Sequence, residues 1–424
     1  MVSTLVLAAC GDDDDASGGD ATSPATEAPA ATEAPTDTTT PGESETTVDD
    51  TIETTTSETA APAEPTGEPV KVMTMIPLDT QALNYPEVEK IVNGFETMVN
   101  ETGGVQGRPL EVIVCNEKRD ANVAAACARQ AAEEGIVAVL GNASQQGAAY
   151  LPILEEANIA ALGGFPYNPI DYNSPVSFPI GSASLVIFEA LGQWMCESNP
   201  ETVALGVIDL PNATPNADAM KRGLASCDPE INEVLIPFGA PDGAPFVAAM
   251  SGADGILLAL DQANLQKIIE NVRAAGMEVP IGTLGLSEPT IKLTGEAANG
   301  VYVFDSYPPV HSTSPYVPEF LDFIERFAPD TDPINSQGFM VFQAYEIFRA
   351  IAEDLPTLDG PSFLKALGST SSLQVGDYDY SFDFTTPQGS AELPRIFNAN
   401  VYVGQVQDGV TLLAQDEPLQ PFGS

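Results

Sequence analysis

Basic residues are scarce in this sequence. Its 424 residues include 15 Lys and Arg against 61 Asp and Glu, which gives a formal net charge of −46 at pH 7. A surface with this charge repels phosphate backbones, so we expect no nucleic-acid partner. Strong acidity is more often a means of staying solvated than the mark of a binding site, and we assign it no ligand.

Histidine and long apolar runs are rare as well. The chain has one histidine, His311, and no Cys-X-X-Cys pair, which argues against a zinc site. No run of about 18 apolar residues is present, so no segment is predicted to span a bilayer. The nucleophile-elbow, phosphate-loop, dinucleotide-binding and zinc-protease motifs are all missing from the sequence. We therefore predict that the protein is not an enzyme and has neither a cofactor nor a metal.

Cys10 closes a short apolar run, Leu7-Ala8-Ala9-Cys10. Small residues before a cysteine suit a peptidase that cuts there and leaves a thiol that can carry diacylglycerol. The pattern resembles the lipobox of bacterial lipoproteins and predicts a lipid anchor on Cys10, outside the cytoplasmic membrane. Because a basic n-region is missing, residues 1–10 are interpreted as a truncated signal peptide whose start codon was assigned too late.

Four further cysteines remain if Cys10 carries lipid: Cys115, Cys127, Cys196 and Cys227. An even number outside the cytoplasm suggests two disulfides, for which three connectivities are possible. The pairing nearest in sequence is Cys115–Cys127 with Cys196–Cys227.

Residues 11–69 consist almost entirely of Thr, Ala, Pro, Glu, Asp, Ser and Gly, with 16 acidic residues and no basic one. Such a segment cannot bury enough apolar surface to offset the entropy lost on ordering it. We predict a disordered, self-repelling tether with a reach of roughly 40–45 Å.

Short apolar strands alternate with amphipathic helices from Val70 onward. The pattern predicts a strand over Val70–Leu78, a helix over Asn84–Glu101 and a strand over Leu110–Cys115, and it continues to a strand over Val301–Phe304. This alternation predicts an α/β protein with parallel sheets and helices on both faces.

The length after the tether, about 355 residues, exceeds one doubly wound domain. We predict two doubly wound, Rossmann-like lobes joined by a three-crossing hinge. Lobe 1 is assigned to residues 70–180 plus 306–385, and lobe 2 to residues 181–305 plus 386–424. The helices near 318–353 return to the first lobe in this scheme, and the last strands return to the second.

Three segments, taken in their order along the chain, resemble type I periplasmic binding proteins. Asn93–Val114 is similar to their first helix, Gly-Gly turn and second strand, Ala131–Gly163 to the next βαβ unit, and Ala275–Val303 to the second interlobe region. The chain is similar to the leucine/isoleucine/valine-binding family of ABC-transporter receptors. The resemblance implies a monomeric protein that closes on a small polar solute, with a branched-chain or other amino acid as the default, and delivers it to an ABC permease.

Ligands of such sheets bind where strand ends and helix N-termini meet. Ser144 and Gln145 follow the third strand in a place suited to a carboxylate anchor, although Ser144 is equally suited to capping a helix. The family's cluster of hydroxyls is reduced here to Ser144, and Gly163-Gly164-Phe165 replaces the hydroxyl after the fourth strand. Since this amino-acid clamp is incomplete, short amides and urea-like solutes remain alternatives.

The other candidates each have a structural alternative. Gly163 and Gly164 allow close approach of backbone to ligand, or simply a tight turn. Tyr85 and Phe165 are candidates for packing on the ligand or for the core. Asp261 suits an ammonium group or the N-cap of the next helix. Thr214 is a weaker candidate, and Tyr307 is placed to close over the cleft.

Two polar residues are assigned no ligand role, and two functions other than transport remain alternatives. His311 is interpreted as solvated and Glu288 as a residue of a helix start. A ligand sensor with the same fold but no transport role is the alternative function, and a lipid-anchored hydrolase built on Ser144 or His311 is the third.

Overall fold

The computed structural model describes residues 63–80, 84–210, 213–376, 378 and 380–422. Cys10 and nearly all of the predicted tether lie outside these residues.

Twelve strands and eleven helices are assigned within the described part of the chain. The strands are β1 (Val70–Ile76), β2 (Leu110–Asn116), β3 (Ala138–Leu140), β4 (Ala160–Leu162), β5 (Ser177–Phe178), β6 (Thr202–Ile208), β7 (Glu230–Ile236), β8 (Gly255–Ala259), β9 (Ile281–Leu284), β10 (Val301–Asp305), β11 (Tyr402–Gln407) and β12 (Val410–Leu413). The helices are α1 (Pro86–Glu101), α2 (Ala121–Glu133), α3 (Gly147–Ala157), α4 (Ser184–Cys196), α5 (Thr214–Leu224), α6 (Ala244–Ala249), α7 (Gln262–Ala274), α8 (Glu288–Thr294), α9 (Val317–Phe327), α10 (Ser336–Ala352) and α11 (Gly360–Leu367).

The first sheet has the order β2-β1-β3-β4-β5, and all of its pairs are parallel. Its interior strand β1 is apolar along most of its length and almost entirely buried, as expected for a strand covered on both faces. Helix α1 begins with Pro86, whose fixed φ suits a first turn. Its apolar residues Val88, Ile91 and Phe95 recur at helical spacing and face the core.

Helices α9 and α10 return to this first sheet after the chain has passed through strands β6 to β10. The hydroxyl oxygens of Thr74 in β1 and Tyr345 in α10 are 2.7 Å apart. The ring of Phe95 packs 5.2 Å from Tyr345 and 6.1 Å from Phe323 of α9. Helices α9 and α10 therefore pack on the first sheet.

The second sheet has the order β12-β11-β10-β9-β8-β6-β7. Strands β6 to β10 are mutually parallel, while β11 and β12 add antiparallel at one edge. The last strands thus join the second sheet, and the α/β class with two mainly parallel sheets is confirmed.

Three segments cross between the sheets and contact one another. The hydroxyl oxygens of Ser182, in the first crossing, and Ser306, in the second, are 2.8 Å apart. In the third crossing, Asn398 donates from its side-chain amide to the carbonyl of Ile180 at 3.0 Å. The crossings thus form one hydrogen-bonded hinge region.

Both disulfides join neighbours in the sequence. Cys115–Cys127 links β2 to α2, and Cys196–Cys227 links the end of α4 to the segment after α5. Of the three connectivities left open by the sequence, the structure has the nearest pairing.

The described residues before Val70, 63–69, contact the rest of the chain. The amide of Thr66 donates to the carbonyl of Gly107 at 2.8 Å, and Arg108 donates from Nε to the carbonyl of Glu68 at 2.8 Å. Residues 63–69 therefore pack on the turn after α1, although composition assigns them to the tether. Among the described residues, none of the helices combines the length and apolar character needed to cross a membrane.

Candidate ligand-binding site

A cavity of about 350 Å³ lies between the two lobes. The first lobe contributes Tyr85 before α1, Phe165 and Tyr167 after β4, and the first turn of α10. The second lobe contributes Gln262 at the start of α7 and residues 284–288 after β9. The segment 303–311, which includes the second crossing, completes the wall. Strand ends and helix N-termini of both lobes therefore meet at one place, as is usual for ligand sites in open α/β sheets.

Aromatic rings cover the side of the cavity that belongs to the first lobe. The rings of Phe165 and Tyr167 are 4.9 Å apart, and Tyr167 hydrogen-bonds to Tyr85 through its side chain. Tyr307 donates from its hydroxyl to the side-chain carbonyl oxygen of Gln343 at 3.1 Å. Burial raises the pKa of Tyr85, Tyr167 and Tyr307 above its ordinary value, so these tyrosines stay neutral.

Asp305 is a half-buried carboxylate that lines the cavity. It accepts a hydrogen bond from the hydroxyl of Ser336 at 2.8 Å and further bonds from the backbone amides of Ser306 and Tyr307. Burial raises the pKa of Asp305 to about 6, although these three donors act in the opposite direction.

Glu288 and His311 form a second polar group on the cavity wall. Nε2 of His311 lies 2.9 Å from Oε1 of Glu288, and Nζ of Lys292 lies 3.4 Å from Oε2. His311 is an exposed loop residue, as expected, and it is also paired with Glu288 and lines the cavity with it.

Gln337 offers an unpaired donor. Its side-chain Nε2 is buried without a hydrogen-bond partner among the described residues, and the residue lines the cavity. A buried amide without a partner costs free energy. A ligand oxygen at this position would satisfy it.

Three of the nine predicted ligand residues line this cavity: Tyr85, Phe165 and Tyr307. All three follow a strand or precede a helix at the edge where the lobes meet. Their contact with a ligand stays a prediction.

Ser144 and Gln145 have local partners and do not line the cavity. The hydroxyl of Ser144 accepts from the amide of Gln146 at 3.1 Å, close to the start of α3. Oε1 of Gln145 accepts from Arg119 at 3.3 Å. In this conformation the two residues therefore order the loop before α3.

The remaining candidates also lie outside the cavity wall. Gly163 has φ +81°, and a Cβ there would meet the Cβ of Ala344 at 2.3 Å, so this position makes a tight turn against α10. A Cβ on the next residue, Gly164, would meet no atom nearer than 3.4 Å. Asp261 caps α7 by accepting from the amide of Asn264 at 3.1 Å, which is the alternative considered for it. Thr214 is the first residue of α5.

Some residues that line the cavity were not selected from the sequence, because little in the sequence marks them as ligand residues. Asp305 directly ends a strand, and the same rule that selected Asp261 could have found it. Glu288 and His311 are 23 residues apart, and nothing in the sequence predicts that they pair. No group of three or more metal-ligating side chains is found in the described ranges.

Solved structures with this fold come from several bacteria. The branched-chain amino acid transporter substrate-binding protein LivJ of Streptococcus pneumoniae, in complex with isoleucine, is 16% identical with a TM-score of 0.68, covering 84% of this chain and 100% of that one. The leucine-binding protein LivK of Thermotoga maritima is 16% identical with a TM-score of 0.67, covering 83% and 99%. The fatty acid ABC transporter substrate-binding protein of Thermomonospora curvata is 16% identical with a TM-score of 0.69, covering 85% and 94%. At such identities the similarity shows the fold.

A search of curated proteins gives no significant match. A family model described as periplasmic binding protein, however, matches residues 89–410 and so spans most of the chain and both lobes. The chain therefore belongs to the periplasmic binding protein family, whose members bind solutes outside the cytoplasm and are not enzymes.

Proposed function

We propose that this protein is the lipid-anchored substrate-binding protein of an ABC importer, and that it captures a small solute between its lobes by closing about the hinge. The observation that carries the proposal is a cavity whose walls come from both lobes. A solute that touches both walls stabilises the closed form over the open one, because it gains its full set of contacts only there. Closure then presents the permease with a shape that the empty protein rarely adopts.

An amino acid or a related small solute is the proposed cargo. One protein of this fold is solved with isoleucine, and another belongs to a fatty acid transporter. The cavity has features for both parts of such a solute. Apolar side chains such as Ile187, Leu284 and Met340 suit a hydrocarbon body, and the polar groups of Asp305 and Gln337 suit a polar end.

A thermal-shift screen of amino acids, short amides, amines and short fatty acids tests the capture of a solute, with isothermal titration of each hit. We expect at least one hit to raise the melting temperature and to contract the protein in small-angle scattering. Phe165→Ala removes a cavity ring and is expected to weaken that hit. Leu293→Ala, at a side chain that is 70% exposed on α8, is the matched control. The absence of any stabilising solute would contradict the proposal.

The anchor is tested separately, because Cys10 lies outside the described residues. Expressed in a bacterium with its natural upstream sequence, the protein is expected in the membrane fraction, with the mass of a diacylglycerol on its N-terminal cysteine. Cys10→Ser is expected to release it to the soluble fraction. An unmodified Cys10 in the wild-type protein would rule out the anchor while leaving solute capture untouched.

A further inference from the structure

We propose that the cavity between the lobes selects amines: it binds a solute that carries a positive charge on an apolar body in preference to the same body carrying a free carboxylate. The inference deepens the proposed function and rests on it. Three features of the cavity carry it.

The first feature is the lack of Lys and Arg on the wall. No Lys or Arg is among the described residues that line the cavity, and the segments 81–83 and 211–212 contain neither residue type. Lys292 is nearby but is held by Glu288 at 3.4 Å, and Arg119 is exposed and donates to Gln145 at 3.3 Å. His311 lines the wall, but its Nε2 lies 2.9 Å from Oε1 of Glu288. A carboxylate in the cavity would therefore meet no Lys or Arg, and it would compete with Glu288 for His311.

The second feature is that the helix N-termini facing the cavity already carry carboxylates. A helix N-terminus attracts an anion through its free amides and its partial positive charge. Here Asp261 caps α7, and Asp305 accepts from Ser336 at the first residue of α10. Glu87, the second residue of α1, accepts from Asn335 at 2.9 Å. The protein's own acids therefore use the places where a ligand carboxylate would bind.

The third feature is what the wall offers to an ammonium group. Asp305 and Glu288 both line the cavity, from the hinge and from the second lobe. A cation in the cavity would gain a charge-assisted hydrogen bond to Asp305, and it would be attracted by Glu288 in competition with His311 and Lys292. Tyr85, Phe165 and Tyr167 line the same cavity from the first lobe, and aromatic faces attract cations. Charge and aromatic lining thus favour the same ligand class.

The test compares solutes that share a body and differ in charge. One series is isoamylamine, leucinamide, leucine and 4-methylpentanoate, and a second has the phenyl body of phenethylamine, phenylalaninamide, phenylalanine and hydrocinnamate. Isothermal titration of the folded chain near neutral pH is expected to rank amine and amino amide at least about tenfold tighter than the amino acid. The two carboxylates without an amine are expected not to bind.

Variants assign the effect to the cavity acids. Asp305→Asn and Glu288→Gln keep the shape and remove one charge each, and we expect either to weaken amine binding about tenfold or more. Asp322→Asn, at an exposed side chain of α9 that pairs with Arg326, and Arg119→Gln are expected to leave it unchanged. Circular dichroism and the melting temperature check that each variant is folded.

Two outcomes would overturn the inference. The first is that an amino acid or a fatty acid binds as tightly as the amine with the same body. The second is that a carboxylate binds to the wild type and that this binding is lost in Arg119→Gln. Both leave the proposed capture of a solute standing. Failure of every compound in both series and in the wider screen would instead remove the proposed function and this inference together.

Discussion

The hydroxyl of Ser336 donates to the carboxylate of Asp305 across 2.8 Å. Asp305 ends β10 in the second sheet, and Ser336 begins α10, which packs on the first sheet. The bond therefore joins the two lobes beside the hinge, inside the cavity wall. Its strength depends on the charge of Asp305, because a hydroxyl binds a carboxylate more strongly than a neutral carboxyl group.

Ser336→Ala is expected to lower the free energy of unfolding by about 1.5–3 kcal/mol near pH 8, because it removes a hydrogen bond to a charged group. Near pH 5 most of the Asp305 carboxyl is protonated, since its pKa is raised to about 6, and the loss should be smaller. Urea titration at both pH values measures the difference. Ser336→Thr keeps the hydroxyl and is the control. An equal loss at both pH values would contradict the pairing.

Glu346 in α10 gives the free energy of unfolding a second dependence on pH. Burial, with a smaller contribution from the negative charge of Glu319, raises its pKa to about 7. A carboxyl whose pKa is raised on folding favours the folded state below its unfolded pKa, and this favourable contribution is lost as the pH rises through the folded value. Glu346→Gln removes the buried charge, so it should raise the free energy of unfolding by about 1–2 kcal/mol near pH 8. Near pH 4 it should have little effect, and a stabilisation of equal size there would refute the assignment.

Gly163→Ala is expected to destabilise the protein by about 2–4 kcal/mol, since it adds left-handed strain to a clash in a packed core. The new Cβ would lie 2.3 Å from that of Ala344 at a φ of +81°. Gly164→Ala is the matched control at the neighbouring position, where the nearest atom is 3.4 Å away, and it should cost much less. Thermal and urea unfolding of both variants provide the comparison. An equal loss of stability in the two variants would mean that the tight turn against α10 is not what requires glycine at position 163.

The disulfide between Cys196 and Cys227 should matter for stability in the second lobe. It closes a loop with a sequence separation of 31, and replacing both cysteines by alanine is expected to cost about 2–4 kcal/mol in urea titration under oxidising conditions. The matching pair is Cys115 and Cys127, with a separation of 12, which should cost less in the chain-entropy account. Reduction of the wild type should reproduce the combined loss.

Most of the fold could be predicted from the sequence, because long elements carry their pattern locally. Helix α1 shows apolar residues at helical spacing and ends at Gly103-Gly104, and β1 is a continuous apolar run. Short elements could not be predicted in this way. Strand β5 has two residues and α8 has seven, which is too few for a period to show.

The candidate site was predicted less completely. Tyr85, Phe165 and Tyr307 were found because a position at a strand end or helix start can be read from the sequence. The pairing of His311 with Glu288 depends on a loop of the hinge folding back onto α8, and no sequence period records that contact. Ser144 and Gln145 follow β3 as the sequence predicts, but Ser144 bonds within its own loop and Gln145 accepts from Arg119 in another loop.

The contact between Thr74 and Tyr345 spans 271 positions of the chain. The amino-terminal strands cannot cover their apolar face until the segment that forms α10 has been synthesised, after strands β6 to β10 of the second sheet. Such distant contacts slow folding, because the loop between them must be closed first. Nascent chains that stop before Ser336 should therefore expose the face of β1 and depend on a chaperone, even though they already contain every strand of the first sheet.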